Sequence, residues 1–188
     1  MNWLIFGIAL FVSVHLVSSV VPSSCAALKA AVGEKTYRGV YSVLVLLGLA
    51  LIVYGWRNAV PIVVYAPPAF GPTLAFVLMF AAIFLFGASH ARTNLRRYVR
   101  HPQLAAVMLW SAAHLLANGD IRSIVLFSSL GAWALIEIPL INRRDSEWKK
   151  PPRASLKSER ITAAVSVVVF LVLVALHPYY TGVSPLPN

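Results

Sequence analysis

Charged residues are scarce in this chain of 188 residues, where they make up only 12% of the sequence. A soluble domain usually carries about 25%. Acidic residues are the scarcest, since 6 Asp and Glu stand against 16 Lys and Arg, whereas 59% of all residues are hydrophobic. This composition excludes an ordinary soluble domain and predicts that a lipid bilayer surrounds much of the folded chain.

Cysteine is nearly absent as well, because the chain contains only Cys25. A single cysteine excludes an intrachain disulfide. No Cys, Asp or Glu lies in the middle of an apolar run, which argues against a structural zinc site with its usual four ligands. The sequence also has no phosphate-binding loop, no nucleophile elbow and no His-x-x-His pair.

Long apolar runs are what the chain has in abundance. Six segments approach the roughly 20 residues that a membrane-spanning helix needs, although the fourth is short: 3–21, 39–56, 72–90, 103–118, 121–141 and 160–177. The sequence therefore predicts an all-α polytopic membrane protein, a six-transmembrane-helix bundle. The whole chain, 1–188, is predicted to be one domain, with a cytoplasmic loop at 145–159 and a last helix at 160–178.

The basic residues are divided unevenly among the loops between these segments. The loops after the first, third and fifth segments, with their flanks, hold 14 of the 16 Lys and Arg. Because cytoplasmic loops carry the excess of Lys and Arg, both termini are predicted to be non-cytoplasmic. Short basic clusters between apolar runs serve membrane topology, so the net charge of +10 does not predict nucleic-acid binding.

Two of the five histidines lie deep inside apolar segments. His15 stands seven residues before Pro22 and His114 twelve residues after Pro102, which places them roughly 10 Å and 18 Å inside the segment ends at about 1.5 Å per residue. Ionisable residues at such depth are costly and are candidates for function. Two interpretations stay open: hydrogen-bonded structural histidines, or the two axial ligands of a haem held between helices.

The other ionisable groups near the apolar segments lie closer to the segment ends. Glu137 is about one turn from the end of the fifth segment, within predicted reach of Arg143 or Arg144. Three histidines lie at or beyond segment ends and are predicted to be interfacial: His90, His101 and His177.

Several strings in the sequence resemble the NnrU family. They are RHPQ at 100–103, WSAAHLLANGD at 110–120, GEKTYRGVYS at 33–42, and His15 in the first segment. The recognisable resemblance runs from the start of the chain to about residue 144. Its fairly specific part is the first two strings together, from RHPQ to the ANG at 117–119.

The resemblance implies a cofactor. NnrU proteins are similar to the zeta-carotene isomerases of plants and algae, which hold haem b in the membrane through two histidines. One lies on an early helix and the other thirteen residues beyond the histidine of the RHP string. His15 matches the first position, and His114 stands thirteen residues after His101. The resemblance therefore implies a haem b protein with His15 and His114 as iron ligands.

The resemblance also implies a cellular location, a role and partners. In denitrifying bacteria, NnrU proteins are associated with nitric oxide reduction or its expression. We therefore expect a multi-pass protein of the bacterial cytoplasmic (inner) membrane that acts as a sensor, an electron carrier or an assembly factor. Its expected partners are the lipid bilayer and nitric oxide reductase or other denitrification membrane components.

One position departs from the isomerases, which carry a cysteine three residues before the second histidine as a proposed alternate iron ligand. This chain has Ser111 there, and a hydroxyl is a poorer haem ligand than a thiolate. A haem-dependent cis–trans isomerase of a polyene such as zeta-carotene is thus the alternative function.

A weaker resemblance concerns the isoprenylcysteine-type membrane methyltransferases, which use S-adenosylmethionine. Their RHP string also opens a short helix, but the acidic pair that follows their hairpin is replaced here by RRDSE at 143–147.

A bound haem needs cations or water around its two propionates, and arginine forms strong bidentate pairs with carboxylates. The predicted cytoplasmic ends supply Arg38, Arg92 and Arg100, and His101 can donate a hydrogen bond there. Arg100 and His101 are therefore predicted, together with Ser111, to belong to the cofactor site.

The distribution of Lys and Arg predicts a membrane topology that reporter fusions can test. Fusions after Asn58 and Asn188 should report the non-cytoplasmic side, and fusions after Lys35 and Lys149 the cytoplasm, because Lys and Arg are retained there. A reporter that is cytoplasmic after Asn188 would contradict the six-helix topology.

Overall fold

The computed structural model describes residues 1–186, and this part of the chain is helical without a β-strand. Seven α-helices follow one another: α1 Asn2–Val20, α2 Pro22–Val32, α3 Glu34–Asn58, α4 Gly71–His90, α5 Pro102–Ala117, α6 Ile121–Arg144 and α7 Leu156–Thr181. A short 3-10 helix covers Asn94–Arg97. Each of the six predicted segments lies on one of these helices, so the all-α prediction is confirmed.

Five of the helices, α1, α3, α4, α6 and α7, are long and apolar enough to cross a membrane, which indicates a membrane protein. The sixth predicted span is α5, which has 16 residues. At about 1.5 Å per residue it is about 24 Å long, shorter than a hydrocarbon core of about 30 Å. The count of six spans and the side on which each terminus lies stay predictions.

The loop predicted after the first segment contains a helix of its own, α2. It has 11 residues, too few to span a bilayer, and is rich in Ala, a strong helix former. Pro22 occupies the first turn, where its missing N–H costs little. Gly33 separates α2 from α3 with φ +85°, a backbone conformation that glycine adopts without strain.

The described chain forms two compact units. Unit 1 comprises Met1–Val64 and Asp120–Ser146, and so contains α1, α2, α3 and α6. Unit 2 comprises Tyr65–Gly119 and the chain from Glu147 onward, and so contains α4, α5 and α7. The prediction of a single domain stays a prediction.

In unit 1, α1 and α3 touch backbone to backbone at glycines. A Cβ added to Gly55 of α3 would overlap the backbone nitrogen of Leu4, and one added to Gly7 of α1 would lie 2.6 Å from the nitrogen of Ile52. Helices in a bilayer gain little from the hydrophobic effect, so small residues that allow close approach are a main source of packing energy. The α1–α3 contact therefore requires glycine at both positions.

In unit 2, α4 packs against α5 and α7. The ring of Phe170 in α7 meets Phe76 and Phe80 of α4 edge to face, with centroids 5.0 and 5.3 Å apart. A Cβ on Gly71 would overlap the carbonyl oxygen of Leu116 in α5.

A carboxylate joins two loops of unit 2. Glu159, in the first turn of α7, accepts hydrogen bonds from the Thr93 hydroxyl at 2.8 Å and from the backbone N–H of Asn94 at 2.5 Å. The Asn94 side-chain oxygen in turn accepts from the N–H of Ala154 at 3.0 Å. The loop that leads into α5 is thus anchored to the segment before α7.

The α1–α3 contact gives a stability prediction. Gly55→Ala should lower the free energy of unfolding in detergent by about 1–3 kcal/mol, because the added methyl group has no space against the α1 backbone. Gly39→Ala is the matched control on the same helix, since nothing lies within 4 Å of a Cβ there. It should be neutral or stabilising by up to about 1 kcal/mol, because Ala favours helix over Gly. Equal unfolding midpoints for the two variants would contradict the packing described.

Candidate functional site

His15 lies half-buried in α1 with its ring held by the helix itself. Its Nδ1 is 2.7 Å from the carbonyl oxygen of Phe11, one turn earlier. A carbonyl oxygen only accepts hydrogen bonds, so the neutral imidazole carries its proton on Nδ1 and its lone pair on Nε2. That is the state in which a histidine binds a metal through Nε2.

Three aromatic rings surround His15 in unit 1. The ring centroid of His15 is 4.3 Å from Phe11 of α1, 5.0 Å from Trp133 of α6 and 5.7 Å from Tyr41 of α3. We call these four residues the His15 cluster. Because three helices contribute to it, the orientation of the imidazole is fixed by packing as well as by its hydrogen bond.

Behind the His15 cluster, Glu137 of α6 is buried, with 4% of its surface exposed. Its carboxylate accepts one hydrogen bond from the Ser19 hydroxyl and another from Trp133 Nε1 at 3.2 Å. Glu137 thereby holds the indole that packs on His15. It positions Trp133 and does not itself contact the imidazole through any hydrogen bond among the described residues.

The sequence predicted that Arg143 or Arg144 could reach Glu137. In the described structure neither forms a salt bridge with it, and Arg144 attracts the carboxylate only at longer range. Arg144 pairs with Asp145 at 2.9 Å and donates to the backbone oxygen of Ser18 at 3.4 Å. In residues 1–186 no cationic nitrogen forms a salt bridge with Glu137. Trp133 precedes Glu137 by four residues and so shares its helix face, which explains why the indole reaches the carboxylate.

His114 is built in the same way on α5 in unit 2. Its Nδ1 is 2.9 Å from the carbonyl oxygen of Trp110, and the two rings lie 5.2 Å apart. The lone pair of the neutral ring is again on Nε2. The side chain of Asn118 donates to the His114 carbonyl at 2.9 Å, which satisfies one acceptor at the end of the helix.

Ser111 shares the helix face of His114, three residues before it. The residue is 3% exposed, and its hydroxyl has no hydrogen-bond partner within the described chain. A buried hydroxyl normally has such a partner. The position at which the resembling isomerases carry cysteine is therefore a buried polar group that the protein fold leaves unsatisfied.

The helical hydrogen bond alone does not single out these two histidines. His90 repeats the pattern, with Nδ1 3.0 Å from the carbonyl oxygen of Phe86 and a ring separation of 4.9 Å. His90, however, is exposed at the end of α4, as predicted for an interfacial residue. His177, near the end of α7, bonds to the Val183 carbonyl at 2.8 Å. Burial separates His15 and His114 from His90, which is exposed. His177 is half-buried as well, but its hydrogen bond goes to a carbonyl six residues later and not to the preceding turn.

The end of the 110–120 string has a structural role. The Tyr65 hydroxyl donates to the carbonyl oxygen of Asn118 at 2.9 Å and also reaches that of Leu115. A Cβ on Gly119 would overlap the carbonyl oxygen of Tyr65. In unit 1, Asp120 caps α6 by accepting from the N–H of Ser123 at 3.2 Å. Asn118 and Gly119 thus form a tight turn, and Asp120 is the N-cap of α6.

The structure places the predicted site residues in both units. His15 belongs to unit 1, whereas Ser111, His114, Arg100 and His101 belong to unit 2. Within unit 2, Arg100 and His101 are half-buried directly before α5, and the His101 carbonyl accepts from the N–H of Ala105 at 3.0 Å. The pairing of His15 with His114 on one cofactor stays a prediction, as do the roles of Arg100 and His101.

The donor chemistry fits a haem better than a bare metal ion. In the part of the chain that the structure describes, no three His, Cys, Asp or Glu residues come together as a metal site. A structural zinc ion usually needs four protein ligands. A haem iron receives most of its ligands from the porphyrin and needs only one or two from the protein, which imidazoles with the lone pair on Nε2 would supply.

Sequence reasoning named Glu137 but not Trp133, and it connected neither residue with His15. The signal available for them was their four-residue spacing, which puts a donor and an acceptor on one face of α6. Nothing in the spacing indicated that this face meets α1.

The buried carboxylate gives a second stability prediction. Glu137→Leu should reduce the free energy of unfolding in detergent by about 1–3 kcal/mol, because Ser19 and Trp133 lose a buried acceptor. Glu137→Gln should cost less, since its amide oxygen still accepts. Glu34→Gln, on an exposed side chain, is the control and should change little. A Glu137→Leu variant more stable than the parent would show that the carboxylate is not needed to hold Trp133.

Comparison with known proteins gives one family. A family model described as NnrU protein matches residues 3–185 of the chain. The match passes residue 144, where the recognisable resemblance ended, and takes in all of α7. No curated protein and no solved structure gives a significant match. Since the family model covers nearly the whole sequence, the chain belongs to the NnrU family.

Proposed function

We propose that this NnrU-family protein is an integral membrane haem b protein with His15 and His114 as iron ligands. The observation that carries the proposal is shared by both residues. Each is a partly buried imidazole in an apolar helix, with Nδ1 bound to the carbonyl four residues earlier. Each therefore has its lone pair on Nε2, the arrangement in which a hydrogen bond to one ring nitrogen orients the other toward a metal.

The energetics of a bilayer support this proposal. Ionisable groups are rarely kept inside a bilayer without a function. Nδ1 of both residues bonds to a backbone oxygen, so Nε2 is the ring nitrogen that would bind the iron. A haem bound there supplies an iron that exchanges one electron or binds a small gas molecule.

The protein's own residues would define the environment of each ligand. In unit 1, Phe11, Tyr41 and Trp133 restrict rotation of the His15 ring, and Glu137 fixes Trp133. In unit 2, the unsatisfied hydroxyl of Ser111 lies one turn from His114. Ser111 would then be a hydrogen-bond donor toward the cofactor and not an iron ligand.

The biological role follows from the family resemblance. We propose service to nitric oxide or denitrification metabolism in the bacterial cytoplasmic membrane, as a sensor, an electron carrier or an assembly factor, with nitric oxide reductase or related membrane components as partners. The hydroxyl at Ser111 favours these roles over the cis–trans isomerase, whose proposed ligand switch uses a thiolate at that position.

The test is the absorption spectrum of the purified protein from haem-replete cells. The parent should show a low-spin b-type spectrum with sharp bands on reduction. His114→Ala and His15→Ala should each lose haem at least about tenfold or turn it high-spin, because even groups that only orient a metal ligand contribute 10–100-fold in affinity.

His90→Ala and His177→Ala are the matched controls. His90 has the same hydrogen bond to a carbonyl four residues earlier but is exposed, so both control spectra should be unchanged. A colourless parent protein, or a normal low-spin spectrum in His114→Ala, would refute the assignment. In that case binding of S-adenosylmethionine would be measured next, for the methyltransferase alternative.

A further inference from the structure

Unit 1 contains an open cleft of about 760 Å³ at the end where α1 meets α2, between α2, the start of α3 and the end of α6. One face of α2 lines it, through residues at helical spacing. Cys25 and Lys29, four residues apart on this face, are the two half-buried residues of α2, whereas the others are exposed. The face of α2 that lines the cleft is thus the face that α2 turns toward the rest of unit 1.

The cleft is cationic. Lys29, Arg38 and Arg144 line it together with one carboxylate, Glu34. Arg38 pairs with Glu34 at 2.6 Å, and Arg144 pairs with Asp145. Lys29 differs, since over residues 1–186 it forms no salt bridge.

The ammonium of Lys29 lies 5.5 Å from the ring centre of Tyr37, where it is attracted by the aromatic face. Two serines and two tyrosines complete the lining of the cleft: Ser18, Ser42, Tyr37 and Tyr41. An uncompensated ammonium beside hydroxyl donors is suited to a phosphate or carboxylate group.

The surface next to the cleft is apolar. Leu28 and Val32 follow Cys25 by three and seven residues and so lie along one edge of the face that lines the cleft. They are 53% and 44% exposed, and Val21 before the helix is 42% exposed. A short helix with one lysine beside exposed apolar residues, between two helices long and apolar enough to span a membrane, is suited to the bilayer interface. The cleft can thus hold an anionic group while the neighbouring apolar residues contact hydrocarbon chains. An anionic lipid has both parts, whereas a free anion has only the first.

We propose that this cleft, which we call the anion cleft, binds the phosphate headgroup of one anionic phospholipid, with its acyl chains along the exposed apolar residues of α2. Basic pockets beside membrane spans bind such headgroups. Lys29 is the principal cation of the site, because the other two basic residues already pair with carboxylates. The inference does not depend on haem binding.

The experiment uses the full chain, purified in a neutral detergent and titrated with phosphatidylglycerol, phosphatidylcholine or sodium phosphate. Native mass spectrometry counts bound lipid, and the melting temperature reports stabilisation. The test variant is Lys29→Gln. The matched control is Lys35→Gln, which removes the same charge from the same unit at an exposed position outside the cleft.

The parent should bind one phosphatidylglycerol in preference to phosphatidylcholine. Lys29→Gln should weaken this binding about fivefold, since one lysine near an anionic lipid surface contributes about 1 kcal/mol. Lys35→Gln should bind like the parent, and Lys29→Arg should retain most of the affinity. Far-ultraviolet circular dichroism establishes that each variant keeps its helical content, and Lys29→Arg carries the test if Lys29→Gln does not fold.

Three results would overturn the proposal. Equal weakening by Lys29→Gln and Lys35→Gln would mean that only diffuse surface charge attracts the lipid. Stabilisation by sodium phosphate to the same extent as by phosphatidylglycerol would identify a site for a free anion. Equal binding of phosphatidylcholine and phosphatidylglycerol would exclude recognition of the anionic headgroup.

Discussion

Unit 1 depends on the backbone contact between α1 and α3. Gly7 and Gly55 allow the two helices to approach so closely that neither position has space for a methyl group. In a water-soluble protein, the burial of large side chains would stabilise the fold far more than such a backbone contact. In a bilayer that gain is largely lost, because the surrounding lipid is as apolar as leucine. Close packing of helix backbones therefore becomes a principal source of stability, and the geometry that it imposes carries over to the rest of the unit.

That contact sets the register at His15. Gly7, Phe11 and His15 follow one another at four-residue intervals, so they lie on one stripe of α1. On α3, Tyr41 and Gly48 precede Gly55 at seven-residue intervals, the repeat of a helix–helix seam. The backbone of Phe11 lies against Gly48, and the seam continues to His15 and Tyr41, whose rings meet at 5.7 Å. The position of the imidazole is thus set about two turns away.

Much of this arrangement was predictable from the sequence, and the limits have physical causes. Apolar length located the helices and placed His15 within α1 and His114 within α5, because apolar length is a local property. His114 lies in the last turn of α5, so its distance from Pro102 did not give its distance from the nearer helix end. The helix α2 was missed because its 11 residues are too few to produce a spanning signal. The hydrogen-bond partners of Glu137 were not predicted, because periodicity tells which residues share a face of α6 and not that Ser19 of α1 meets that face. Tertiary packing decides such contacts.

Tyr41 belongs both to the anion cleft and to the His15 cluster. His15 therefore lies beside a polar boundary as well as among aromatic rings, and part of the cost of burying an imidazole is relieved there. An apolar side chain would pack against the same three rings without any such cost, so packing alone does not account for histidine at this position. What only histidine offers is the Nε2 lone pair that its bond to the Phe11 carbonyl fixes. That property is the one a metal cofactor uses.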